Sequence, residues 1–258
     1  MSASLSDQTP TVNILCIKWG TRYGPDYVNI LYRSVTRHLK RPFLFNCCTE
    51  NTTGLNPKIR IIPFPPNPGL TREWPDVLVK LMVTKDGFGD LRGPTLFLDL
   101  DVAIMDDIDC FFDYRPGKNC IIHNWVKARK ELLSQRPHIG NSSIFRFEAG
   151  ASNYIYETFA LEMHRAEDLT IFNTEQAFMT YAMKEVHWWP DEWARSYKRH
   201  CRPFFPFNLI ATPKPPKGCR ILVFHGRPDP DEAIRGFRGT KIHHHMQPAP
   251  WIADHWKM

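Results

Sequence analysis

The stretch Thr95-Leu96-Phe97-Leu98-Asp99-Leu100-Asp101-Val102-Ala103-Ile104 is an apolar run interrupted only by two acids on alternate positions. Such a run reads as a buried strand. A strand alternates faces, so Asp99 and Asp101 are expected to point the same way. Two carboxylates on one strand face repel each other and are costly to bury without a cation. A divalent metal removes that cost, and hard oxygen ligands with open positions suit Mg²⁺ or Mn²⁺ shared with a diphosphate. The competing reading is a strand end whose acids simply reach solvent. The apolar run ahead of the pair argues against it.

Upstream, residues 12–19 form a buried strand ending at Gly20, and Pro25 begins a helix running to about Leu39 with Tyr27, Ile30, Leu31, Ser34 and Val35 inward. Residues 42–48 and 59–64 are two more strands, the second closed by a proline-rich loop. Trp74-Pro75 starts a helix carrying Val77, Leu78, Leu81 and Met82 on one face, and Gly87, Gly89 and Gly93 break the chain before the acidic strand. Downstream, residues 120–123, 142–147 and 221–225 read as strands, 151–165 and 175–183 as helices, and 188–207 as an aromatic, basic, proline-punctuated loop. Strands alternating with helices predict an α/β fold with a doubly wound, mostly parallel sheet. Ligands bind such sheets at the carboxyl ends of the strands. Lys18, Gly20, Thr21 and Tyr23, just after the first strand, therefore suit a nucleotide base and ribose, or form an ordinary strand-to-helix turn.

The whole chain has 258 residues, 43 % hydrophobic and 23 % charged, an ordinary globular composition. No stretch approaches the roughly 20 apolar residues of a membrane span. Residues 1–10 are polar and small, read as a flexible tail without a signal-peptide pattern. Seven cysteines, with no CxxC pair and mostly in apolar context, suit buried free thiols and a cytoplasmic location. The net charge is +6. Short basic clusters lie at residues 37–41, 127–130 and 198–202. They are too scattered to argue for nucleic acid, but an anionic substrate or peripheral contact with the inner face of a membrane would use them.

The acidic pair resembles the DxD motif of GT-A-fold glycosyltransferases, particularly the glycogenin and bacterial galactosyltransferase group. Lys80 falls where that group has a donor-contacting basic residue. Gly140-Asn141-Ser142-Ser143-Ile144-Phe145 is similar to its asparagine strand lining the sugar pocket, and Thr174-Glu175-Gln176-Ala177-Phe178 to its acidic-Gln helix start beside the reacting carbon. Val223-Phe224-His225-Gly226 resembles its late histidine-glycine, where the histidine is the third metal ligand. The match runs from about residue 12 to 226, and only the DxD and His-Gly are specific. The tail 251–256 has no counterpart.

The resemblance implies a Rossmann-like GT-A sheet flanked by helices. Residues 11–258 would be one catalytic domain, with a nucleotide-sugar half at 11–104 and an acceptor half at 105–258. It implies a metal-dependent hexosyltransferase using a UDP-sugar and a saccharide or glycolipid acceptor, with retention of configuration. Asp99, Asp101 and His225 would hold Mn²⁺ or Mg²⁺. Lys80 and Gly226 would meet the diphosphate, and Asn141 and Gln176 the sugar. Glu175 would lie at the reacting carbon, either as a base or as an ordinary helix-start acid.

Each assignment has a rival in the residues themselves. His225 ends a buried strand and could be a satisfied core group. His187, Trp188, Trp189 and Trp193 could stack on sugar or pack a core. Arg195, Lys198, Arg199 and Arg202 could meet an anionic acceptor, lipid headgroups, or only solvent. The triplet His243, His244 and His245 lies in a polar tail and is not expected to bind metal. A haloacid-dehalogenase-type phosphatase also ends a strand in DxD, but needs Thr or Val where this chain has Ala103, and a later acid pair that Gly226-Arg227-Pro228-Asp229 does not supply. Nucleotidyl transfer and a basic nucleic-acid or membrane-surface binding module are the remaining alternatives.

Overall fold

A computed structural model describes residues 11–71, 73–125, 139–168, 170–172 and 174–258. The tail 1–10 and the basic cluster 127–130 lie outside the described residues. Strands β1 (Val12–Lys18), β2 (Phe43–Thr49), β3 (Arg60–Pro63) and β4 (Gly93–Leu98) pair in parallel in the order β3-β2-β1-β4. Strand β7 (Gly140–Ala149) joins antiparallel to β4, then β6 (Cys120–His123) antiparallel to β7, and β8 (His187–Trp188) completes the seven strands. A second sheet has the order β5 (Val102–Ile104), β10 (Ile221–Val223) and β9 (Ala194–Ser196).

The acidic run is therefore not one strand. The chain leaves the large sheet after Leu98, and Val102 pairs with Val223 in the small one. Asp99 still donates its N–H to Ser143 O at 2.9 Å, and Asp101 O accepts from Phe224 N at 3.0 Å. The acidic pair lies at the switch between the two sheets. Local apolarity cannot show this, because both flanking strands are buried.

Central strands are apolar on both faces, as expected where both are covered. On β1, Val12, Ile14 and Cys16 pack with Val28, Leu31 and Val35 of helix α1 (Pro25–His38). Leu15 and Ile17 face the opposite cluster, with Phe159 and Phe178 from the helices Asn153–Leu161 and Glu175–Ala182. A third cluster joins Leu222 and Phe224 to Ala249, Ile252 and Trp256. The C-terminal tail is thus built into the core.

Three further expectations need correction. Only Val79–Met82 (α2) is helical in the segment after Trp74-Pro75, and Val77 is on the surface. The expected helix 151–165 divides at Glu162, whose φ of −115° and ψ of 27° leave the helical region. The supposed loop 188–207 supplies β9 and a π-helix, Tyr197–Cys201. Strand β9 exists because Ala194–Ser196 finds a partner in Ile221–Val223, a distant pairing that no local pattern reveals.

Candidate active site

Lys80 is 7 % exposed, and its ammonium lies 2.7 Å from Asp99 Oδ1 and 3.9 Å from Glu175 Oε1. Burial alone would lower its pKa. Asp99 and then Glu175 outweigh burial and hold it above the ordinary value. Glu175 Oε1 also accepts a hydrogen bond from Ser142 Oγ. Glu175 is placed by a capped helix start: Thr174 is extended, and its hydroxyl accepts from Ala177 N at 3.3 Å.

Asp101 lies on the far side of Leu100. Burial, reinforced by the Asp99 charge, pushes its carboxyl up to about 7, against the pull of Lys80 and Tyr23. The Tyr23 hydroxyl lies 3.2 Å from Asp101 Oδ2 and 3.3 Å from Asp229 Oδ1, so it donates to one carboxylate at a time.

His225 follows β10. Its Nε2 is 2.6 Å from Ser196 Oγ, and Trp125 stacks on its ring with centroids 5.7 Å apart. Burial, then Lys198, lowers its pKa to about 4, so the imidazole is neutral at pH 7. Gly226 has φ of +65°, and a Cβ there would lie 3.2 Å from Lys198 Nζ. The position suits glycine on both counts. Gly140 is needed for a different reason: a Cβ would meet Ile121 Cδ1 at 2.7 Å, where β6 shifts register against β7.

These groups share one cavity of about 400 Å³. Lys80, Asp99, Asp101, Asn141, Glu175, Gln176, His225 and Gly226 all line it. Asn141 is buried, with its side-chain oxygen accepting from Ser143 N at 3.1 Å. Lys18, Gly20 and Thr21 are not among the residues lining this cavity: Lys18 is buried at the end of β1, and the next two are exposed. Tyr23 reaches the cavity only through Asp101.

The residues present match a divalent cation in donor chemistry. Asp101 is a buried carboxyl whose charge is disfavoured by burial and by Asp99, and a cation removes both costs. His225 is held neutral, the form that ligates metal. As the side chains stand, no group of three or more His, Cys, Asp or Glu residues among those described is gathered closely enough to hold a metal ion. Lys80 engages Asp99 and Ser196 engages His225, so a three-ligand site requires those two contacts to open.

Sequence reasoning missed Asn124 and Trp125, which contribute to the cavity and its rim, whereas Arg199, expected to meet an anionic acceptor, lipid headgroups or solvent, lines the cavity itself. The signal for the first two was their place directly after the apolar strand β6. Of the tryptophans that could stack on sugar or pack a core, Trp189 and Trp193 take the second course. Trp189 is 3 % exposed and packs edge-on against Phe111, and Trp193 packs on Phe111 and Tyr114. They are core residues, and Trp125 is the aromatic beside the cavity.

No family profile and no curated protein matches the sequence. Solved structures do match the fold. Galactosyltransferase LgtC, solved in complex with donor and acceptor sugar analogs, aligns with a TM-score of 0.57 and 12 % identity, covering 84 % of this chain and 88 % of that one. An active-site mutant of LgtC aligns at 0.59 and 12 % identity, over 84 % and 89 % of the two chains. The bifunctional glycosyltransferase WbbM aligns at 0.60 and 14 % identity, over 85 % of this chain but only 46 % of that one. At these identities the likeness is one of architecture: the chain has the GT-A fold, a mixed, mostly parallel sheet flanked by helices.

Proposed function

We propose that this protein transfers a hexose from a UDP-sugar to a saccharide or glycolipid hydroxyl, with a divalent cation held by Asp99 and Asp101 and completed by His225. The observation that carries the reading is the convergence of Lys80, Asp99, Asp101, Asn141, Glu175, Gln176, His225 and Gly226 on one cavity of a GT-A fold. The solved relatives are glycosyltransferases, and LgtC was captured with donor and acceptor sugar analogs.

When bound, Mn²⁺ or Mg²⁺ would supply Lewis-acid stabilisation of the leaving diphosphate. The chain's own groups do the rest. The Lys80 ammonium, buried and 3.9 Å from Glu175 Oε1, supplies a positive charge to the leaving oxygen once Asp99 turns to the cation. Asn141 and Gln176 orient sugar hydroxyls from opposite elements, β7 and the helix Glu175–Ala182. Glu175 is committed to Ser142 and lies beside Lys80, so it serves better as a charged positioning group than as a base. That favours attack on the face the diphosphate leaves, with a diphosphate oxygen taking the acceptor proton and the anomeric configuration retained.

The test is calorimetric titration with UDP in Mn²⁺ and then in EDTA, together with a screen of nucleotide sugars for hydrolysis. UDP affinity is expected to fall at least tenfold on chelation, and one donor to be hydrolysed only with metal. Equal affinity in both buffers would sink the metal assignment. No turnover of any nucleotide sugar would sink the transferase.

A further inference from the structure

A second cleft of about 690 Å³ opens beside the candidate active site. Arg195, Lys198, Arg199 and Arg202 line it, and Asp191 is its one acid among the described residues. Arg199 also lines the cavity of Asp99 and Asp101, so the two spaces meet at this residue. The local fold creates the concentration of charge. Strand β9 presents Arg195, and the π-helix Tyr197–Cys201 then turns Lys198, Arg199 and Arg202 toward the same space. The strand is held by β10 and the π-helix by Tyr197, which is buried and stacked on Phe224 at 4.8 Å.

None of the four cations forms an ion pair among the described residues. Lys198 Nζ donates to His225 O at 2.5 Å, and Arg195 Nη1 lies 3.4 Å from His200 Nε2. Several other cations are paired with acids: Arg41 with Asp109 and Asp113, Arg227 with Glu232, Arg235 with Asp231. Several half-buried like charges in one wall repel one another. Burial and Arg199 accordingly lower the pKa of Arg202. An anion removes that repulsion. The charge to be met exceeds what a single carboxylate carries, whereas a phosphate monoester brings about −1.5 to −2 and several acceptor oxygens suited to Arg. Trp125, Phe204 and Phe205 add aromatic faces to the same cleft, a surface that suits a sugar ring.

We propose that this cleft binds a phosphate-bearing saccharide, with Arg195, Lys198 and Arg202 on its phosphoryl group, and that this molecule is the acceptor. Its role as acceptor rests on the sugar-transfer reading above, and its binding does not. Arg199, at the junction, then lies between the acceptor's phosphate and the donor cavity.

The test uses lactose 1-phosphate and lactose as probes, titrated into the full chain with and without UDP and Mn²⁺. Arg195→Gln, Arg202→Gln and the conservative Arg202→Lys are compared, their folding checked by thermal melting. Lactose 1-phosphate is expected to bind at least tenfold more tightly than lactose. Each Gln variant should lose at least tenfold of that affinity while UDP affinity is retained, and Arg202→Lys should recover part of it. In turnover assays with the best donor, the same variants should raise the acceptor KM and leave kcat within about twofold. Equal binding of the two probes overturns the proposal. So does competition of lactose 1-phosphate with UDP, or parallel loss of UDP in the variants, because the cations would then serve the donor. Vesicles of phosphatidylglycerol and of phosphatidylcholine separate a lipid source of phosphate. If the Arg-dependent binding is to anionic vesicles alone, the cleft meets a membrane surface and the saccharide site is refuted. If lactose 1-phosphate binds as expected but no nucleotide sugar is turned over, the phosphate site stands and only the transferase reading fails.

Discussion

The Asp101 carboxyl is 9 % exposed, faces the Asp99 charge and holds its proton up to about pH 7. An unfolded aspartate ionises near 3.8. Between those values the folded chain keeps a proton that the unfolded chain gives up, so stability falls as pH rises through the window. The cost is full above pH 7, at about 4 kcal/mol, and about 1.5 kcal/mol at pH 5. Asp101→Asn removes the ionisation and keeps an oxygen for Tyr23. In EDTA, urea melts should show the variant more stable than the parent, with the gap widening from pH 5 to pH 8. Mn²⁺ should then raise the parent at pH 8 and not the variant. A variant less stable than the parent at pH 8 defeats this account of the site. Buried Arg146 shows the contrasting solution. It is 1 % exposed and has no acid partner among the described residues. Its two terminal nitrogens donate to the carbonyls of Phe111, Phe112, Arg115 and Lys118 at 2.5–3.2 Å. Four backbone carbonyls take the place of an acid there, and Nε has no partner among the described residues.

Among the elements, the helix Glu175–Ala182 carries the tightest link between local structure and site. Its Thr174 cap fixes the first turn, and that turn holds Glu175 beside Lys80 and Ser142. Thr174→Ala should cost about 1 kcal/mol, with Ser or Asn restoring most of it. Because the first turn loosens, donor hydrolysis should fall more than UDP affinity. Loss of stability without loss of hydrolysis would separate the cap from the site. This helix start, like β1, α1, β2 and β3, was legible from the chain, since caps, proline positions and apolar runs are local signals. The assembly of β9, β10 and β5 was not, because each is short and owes its existence to partners far along the chain. The same holds for the site. Lys80, Asp99, Asn141, Glu175 and His225 were identifiable one by one, yet the Lys80–Asp99 contact and the neighbourly role of Trp125 depend on how two sheets meet. Trp189 stayed open between two readings because aromatic content is the same whether a ring faces sugar or Phe111.

At the scale of the whole molecule, the last turn of chain closes the structure over α1. Trp256 is 9 % exposed and meets Tyr27 edge-on at 4.9 Å, and Tyr27 in turn lies 4.7 Å from Tyr23, whose hydroxyl reaches Asp101. Ile252 is fully buried in the same cluster, and the backbone carbonyl of His255 accepts from Arg37 at 3.3 Å. Among the described residues, no helix is long and apolar enough to cross a membrane. The apolar residues of this tail are spent on the protein's own core. Trp256 Nε1 is buried without a hydrogen-bond partner among the described residues, so the side chain contributes through packing and not through its polar atom. That distinction can be measured. Trp256→Ala should cost about 3–5 kcal/mol, as large-to-small changes of buried aromatics do. For a chain of this size that corresponds to roughly 6–20 °C in Tm. Trp256→Phe keeps a ring against Tyr27 and gives up part of the indole's packed volume together with its N–H, so it should cost less than the change to Ala. At temperatures where both variants are folded, the Phe variant should bind UDP as the parent does. Equal losses of Tm in the two variants would mean that a ring retained against Tyr27 is not what holds the tail to helix α1.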